Sequence, residues 1–192
     1  PDATILYRKA LLTPTQHGFF WLSPTPDRAF SAGFDPEGQL PRLVAWAIFE
    51  IKDQNRAFLF ANTHVDNNSP SQELSAPLIR TRLKAIAEGL PVILVGDFNS
   101  DLNHPAYTDL TGDDSWPVHD TWALAEAPRA EGDAARIAAY PWERRIDHIF
   151  IAPADQFTVS DWWMDLTSYA EGTRMPSDHR PVHATVHLLP ED

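Results

Sequence analysis

Four short polar segments carry residue types that suit one kind of chemistry. In chain order they are Asn62-Thr63-His64-Val65-Asp66, Gly96-Asp97-Phe98-Asn99, Arg145-Ile146-Asp147-His148 and Ser177-Asp178-His179-Arg180. Asp97, Asn99, Asp147 and Asp178 offer only hard oxygen donors, which suit magnesium or manganese better than zinc. His64 and His179 stand beside them and can act as general acid or base, or contact a phosphate. Taken singly, each segment reads as an ordinary turn, because Asp at a strand end usually caps one. The signal lies in their shared placement, at the end or the start of an apolar strand.

Those strands are legible. Residues 43–51 and 57–64 are apolar, β-rich runs separated by Lys52-Asp53-Gln54-Asn55-Arg56, a hairpin signal. The second run ends on the His64 segment. Residues 71–88 place Leu74, Leu78, Ile79, Leu83 and Ile86 on one helical face, with Pro77 expected to kink the helix or mark a late start, and Gly89 to stop it. Pro91-Val92-Ile93-Leu94-Val95 predicts a buried central strand that delivers the Asp97 segment. Residues 145–151, 157–163 and 181–188 predict three more strands. The third polar segment opens the first of these, and the fourth leads into the last. Short strands at 4–6 and 18–22, short helices at 104–110 and 119–125, and loops at 23–42 and 127–141 complete the reading. Strands with helices between them predict a layered α/β sandwich. Strand ends lie at a sheet edge where loops converge and pockets form.

Composition bounds the partners. The 192 residues carry 15 Lys and Arg against 27 Asp and Glu, a formal net charge of -12. A protein that holds a long polyanion usually presents a basic surface, so nucleic acid is disfavoured as the main partner. Some of the seven tryptophans could stack bases, but core or rim packing is the simpler use for them. The chain has no cysteine, which excludes disulfides and thiolate zinc sites. That absence suits either side of a membrane, so the compartment stays open, with a secreted or periplasmic location as one reading. No apolar run approaches the roughly 20 residues that span a bilayer. The opening Pro1-Asp2-Ala3 does not resemble a native initiation site.

In this order, Asn-Thr-His-x-Asp, Gly-Asp-Phe-Asn, Arg-Ile-Asp-x-Ile-Phe and Ser-Asp-His-Arg-Pro-Val resemble the later motifs of the endonuclease/exonuclease/phosphatase superfamily of deoxyribonuclease-like phosphoesterases. The resemblance implies a four-layer α/β sandwich with two central mixed sheets, and metal-assisted attack of water on a phosphate ester, with Mg2+ or Mn2+ as cofactor. It implies that Asp97 and Asn99 position the water and contact the phosphate, and that Asp178 helps to hold the metal. It pairs His179 with Asp147 at the scissile phosphate, puts His64 on the phosphate near the leaving group, and suggests Arg42 as a phosphate clamp. Arginine suits that role because its fork pairs bidentately with phosphate oxygens.

The sequence also departs from the family pattern. Members open with a strand ending in Asn and another ending in Gln-Glu, whose Glu is a principal metal ligand. Neither is here, and Glu37, Glu50 and Glu73 stand in no matching context. The expectation is a domain over residues 1–192 that lacks the family's first strands. Three functions follow: a phosphodiesterase or phosphatase acting on a small or lipid-type substrate, a magnesium-dependent nuclease, or a non-catalytic binding fragment.

Overall fold

The apolar runs pair as strands around a central β-α-β unit. The computed structural model describes residues 3–34, 40–168, 174 and 177–190; Glu37 lies outside them. The strands are β1 (Leu12–Trp21), β2 (Leu43–Ile51), β3 (Arg56–His64), β4 (Val92–Asp97), β5 (His119–Asp120), β6 (Arg129–Gly132), β7 (Asp147–Ala152), β8 (Phe157–Leu166) and β9 (Val182–Leu188). The helices are α1 (Ser71–Ala87), α2 (Pro105–Thr111), α3 (Thr121–Leu124) and α4 (Ala134–Ala139). Two mixed sheets form, as the family resemblance implies. The larger runs β1-β2-β3-β4-β7-β5 and the smaller β6-β8-β9. Among the described residues of the larger sheet, β3 and β4 alone are parallel neighbours, joined by α1 as the crossover.

One face of the large sheet packs on helices. Val44 and Ile48 of β2, Leu59 and Ala61 of β3, Val92 and Leu94 of β4 and Phe150 of β7 are buried there against Ile79 and Leu83 of α1 and Leu110 of α2. Strand side chains alternate between faces. The intervening residues Phe58, Phe60, Ile93, Val95 and Ile149 therefore emerge on the other face. There they line an apolar cavity of about 1080 Å³, whose far side is Val182, Ala184 and Val186 of β9. Arg56 of β3 ties the two sheets together by donating to the Leu188 carbonyl of β9 at 3.0 Å. Asp147 and His179 line the same cavity. A second core joins Trp162, Met164 and Leu166 of β8 to Trp122, Ile137, Tyr140 and Trp142.

Three sequence expectations change. Residues 4–6 form no strand. They follow the large sheet without joining its backbone ladder: Asn62 Nδ2 donates to the Thr4 carbonyl at 2.9 Å, and Leu6 is exposed. The strand expected at 18–22 starts instead at Leu12. Its first half is polar and exposed because β1 is an edge strand, and an edge tolerates Pro14 with a register shift beside it. The loop expected at 127–141 contains β6 and α4. Asp133 caps α4 by accepting from the Ala135 and Arg136 amides, a local bond that a six-residue helix depends on. Helix α1 runs through Pro77 and ends at Glu88 and Gly89, both with positive φ.

Candidate active site

The strand register brings three of the polar segments into one row. His64 pairs with Asp97 across β3 and β4, and Asp97 pairs with Asp147 across β4 and β7. All three share the alternation phase of Phe60, Val95 and Ile149, so they emerge on the cavity face. Gly96 makes this packing achievable. Its φ is +145°, and a Cβ there would lie 2.0 Å from the Thr63 carbonyl oxygen. Any side chain would push β3 and β4 apart at the row itself.

Beyond β4 the chain turns sharply. Asn99 takes a φ of 49°, in the left-handed region that Asn tolerates better than most residues. Asp97 Oδ1 accepts from the Asn99 amide at 2.8 Å, and Asn99 Nδ2 donates to the Val65 carbonyl at 2.8 Å. One hydrogen of the Asn99 side-chain amide is thereby used to hold the turn, leaving the second for another acceptor. Gln72, buried on α1, donates to the Asn99 carbonyl at 2.5 Å. The Phe98 amide donates to the Ile146 carbonyl at 2.9 Å, tying the turn to the residue before β7.

The fourth segment folds over this row. His179 Nδ1 lies 2.8 Å from Asp147 Oδ2, and its Nε2 lies 3.7 Å from Asp97 Oδ2. His64 Nε2 approaches the same Asp97 oxygen at 3.4 Å. One carboxylate thus stands between two imidazoles. Asp97 is the most enclosed of the four, and the His179 side chain is 40% exposed, so the cluster can be reached from solvent. Burial pushes the Asp147 carboxyl above the usual carboxylate range, with Asp97 adding to the rise and His179 opposing it. Burial works against the His179 imidazolium, but the Asp147 hydrogen bond and charge, with Asp97 and Asp178, outweigh it and raise its pKa.

Asp97, Asp147 and His179 offer ligand atoms within 4.8 Å of one another. Two carboxylates and one imidazole make a donor set dominated by hard oxygen, which fits a cation such as magnesium or manganese. Asp178 is exposed and stands outside this trio, although its charge reaches His179. Arg42 is half-buried just before β2, two strands from Asp97 in the sheet order. Sequence reasoning missed Gln72, Asp120 and His148, which are buried and brace the row from behind. Their signal was a polar residue where the helix or strand pattern calls for an apolar one.

A layered α/β domain with two mixed sheets thus brings an Asp–His pair and a second Asp to adjacent strand ends. Residues 5–179 match the Endonuclease/Exonuclease/phosphatase family. The chain is similar to a mannosyl-6-phosphatase from Bacteroides thetaiotaomicron, with 34% identity over 95% of this chain and 69% of that one, and a TM-score of 0.79. It is also similar to an endonuclease/exonuclease/phosphatase from Bacteroides vulgatus, with 30% identity over 95% and 68% and a TM-score of 0.78. Human Nocturnin's catalytic domain shares the fold at 17% identity, covering 94% of this chain and 61% of that one, with a TM-score of 0.64. No curated protein matches the sequence. The chain belongs to the endonuclease/exonuclease/phosphatase family, whose members hydrolyse phosphate esters and generally use divalent metals. Among the described residues, no helix is long and apolar enough to cross a membrane.

Proposed function

We propose that this chain hydrolyses a small phosphate ester with a divalent cation, Mg2+ or in its place Mn2+. The observation that carries the reading is the 2.8 Å Asp147–His179 pair, whose outer nitrogen faces Asp97 in the row. Asp97 and Asp178 would hold the cation. When bound, it neutralises charge on the transferring oxygens and lowers the pKa of water. Phosphoryl transfer otherwise needs mainly positioning, which the chain's own residues provide.

Asp97 and Asn99 orient the attacking water. Asp147 fixes the tautomer and direction of His179, whose Nε2 sits at the scissile phosphate. His64 contacts a phosphate oxygen on the leaving-group side, and Arg42 clamps the phosphate from its place just before β2. As the water oxygen bonds to phosphorus, the ester P–O bond breaks, and a proton passes to the departing alkoxide. The apolar cavity opening beside Asp147 supports a further part of the reading. It fits the expectation that the whole domain includes strands beyond the ones described, which would pack there.

The substrate proposal is a phosphate on a small sugar or similar polyol. The acidic balance supports it over a polymer, and so does the name of the Bacteroides thetaiotaomicron relative. The test is a panel under Mg2+: mannose 6-phosphate, p-nitrophenyl phosphate, bis(p-nitrophenyl) phosphate, sphingomyelin, and single- and double-stranded DNA. Turnover of the small esters, lost in Asp97→Ala, is expected. Preferential DNA cleavage with salt-sensitive binding would make the chain a nuclease. Silence on every substrate, in a longer polypeptide as well, would make it a binding domain.

A further inference from the structure

Asp120, Arg145 and His148 are buried together on the helix side of β7, and the chemistry proposed above uses none of them. The strand alternates, so Asp147 serves the row while His148, its neighbour, points into the core. There Asp120 Oδ2 accepts from Arg145 Nη2 at 2.6 Å, from the Tyr107 hydroxyl at 3.3 Å and from His148 Nδ1 at 3.0 Å. Its other oxygen accepts from the Trp122 amide at 3.0 Å, capping α3. The second nitrogen of His148, Nε2, lies 3.0 Å from the Ser100 carbonyl. Each ring nitrogen of His148 thus faces an oxygen acceptor, the Asp120 carboxylate on one side and the Ser100 carbonyl on the other.

Ser100 follows Asn99 directly. His148 therefore links the turn that carries Asp97 and Asn99 to the strand that carries Asp147. Its ring stacks on Phe150 at 5.2 Å and meets Tyr107 at 5.2 Å and Phe98 at 5.9 Å, which fixes its orientation. Arg145 is held in turn over the Trp122 ring at 4.1 Å. A buried charge network is a poor way to gain stability, because well-packed apolar residues of the same volume do as well or better. What this network adds is a fixed geometry between the two segments that bear the row.

We propose that Asp120 and His148 form a positioning clamp, which sets the Asp97–Asn99 turn relative to Asp147 through the His148–Ser100 bond. The clamp's effect on turnover rests on the phosphoesterase reading. An error of about 1 Å in such a site lowers the rate on the order of a hundredfold. Neither residue touches the reacting atoms.

Two variants separate the two bonds of the ring. His148→Asn keeps a donor where Nδ1 faces Asp120 and loses the reach to Ser100. His148→Gln extends an amide to the Nε2 position and keeps the Ser100 bond. Turnover of mannose 6-phosphate and p-nitrophenyl phosphate is measured under Mg2+ and corrected for the folded fraction. Amide exchange is followed at Phe98, Asn99 and along α1. Expected for His148→Asn is a kcat lower by about tenfold or more, with KM within about threefold of wild type. Exchange at Phe98 and Asn99 should accelerate while α1 stays protected. His148→Gln should keep both properties near wild type. Wild-type kcat in His148→Asn, or equal losses in both variants, overturns the clamp. A wild-type protein inactive on both esters contradicts the small-ester reading instead. The exchange data then decide the clamp alone, and equal protection of Phe98 and Asn99 in the two variants overturns it.

Discussion

Asp97 and Asp147 stand directly opposite each other across β4 and β7, two carboxylates paired in register on the same face. Like charges at opposed strand positions destabilise a sheet. Here the cost is offset by imidazoles, since His179 bonds to Asp147 and both His179 and His64 flank Asp97. A divalent cation would relieve the same repulsion more fully. Mg2+ or Mn2+ at millimolar concentration is therefore expected to raise the melting temperature, by mass action on the folded state. Asp97→Asn should abolish most of that rise. A melting temperature indifferent to both ions in the wild type would count against a metal site at the row.

Protons and the cation oppose each other within the same cluster, since a protonated His179 sets positive charge beside Asp97. His179 holds its proton more tightly in the folded chain than an ordinary histidine does, so its stabilising contribution is complete below the unfolded value of about 6.5. That contribution is lost as pH rises through the folded value. In EDTA the melting temperature should fall as pH rises through this window, and His179→Gln should flatten the trend. The Asp147 carboxyl, also raised, acts in the same direction at lower pH. With metal present the dependence inverts, because binding expels protons and affinity increases with pH. Calorimetric titration of Mn2+ at several pH values checks the sign.

Gly96 is the least replaceable backbone position in the site. At φ +145° and with a carbonyl oxygen 2.0 Å from any Cβ, it admits no side chain unless β3 moves away from β4. Gly96→Ala should cost about 3 kcal/mol or more, combining backbone strain with a steric clash. Urea unfolding measures the loss. A variant within about 0.5 kcal/mol of wild type would show that the strands can part at no cost.

The apolar cavity makes a separate prediction. A space of about 1080 Å³ lined by Phe58, Phe60, Ile93 and Val95 should take up an apolar dye in this 192-residue chain. Fluorescence of an anilinonaphthalene probe should rise on mixing and fall in Phe60→Asp. A polypeptide extended at its N-terminus should lose the dye if added strands fill the space, and unchanged binding would place those strands elsewhere.

Much of the site could be read from the sequence because its residues sit in contiguous motifs at the ends of apolar runs. The β3, α1 and β4 runs needed only hydrophobic pattern, and their order fixed which strand ends meet. The bracing residues were hidden for a physical reason. His148 occupies a core-facing position that an apolar residue would normally fill, and its partner Asp120 lies 28 residues earlier in the chain. The first half of β1 was missed because an edge strand can be polar on both faces, so Thr13 to His17 show no alternation. Strand β6 and helix α4 are too short to carry a period. Asp178 was legible from its motif alone, and it lies exposed beside the cluster, where its charge reaches His179.

The most direct measurement is phosphate release from mannose 6-phosphate as Mg2+ is titrated into wild type and Asp97→Asn. The expected result is wild-type turnover that saturates with Mg2+ and disappears in EDTA, with the variant slower by about 10² to 10⁴. Turnover that survives EDTA, or an Asp97→Asn protein as fast as wild type, would contradict the assignment of the row as a metal-dependent hydrolytic site.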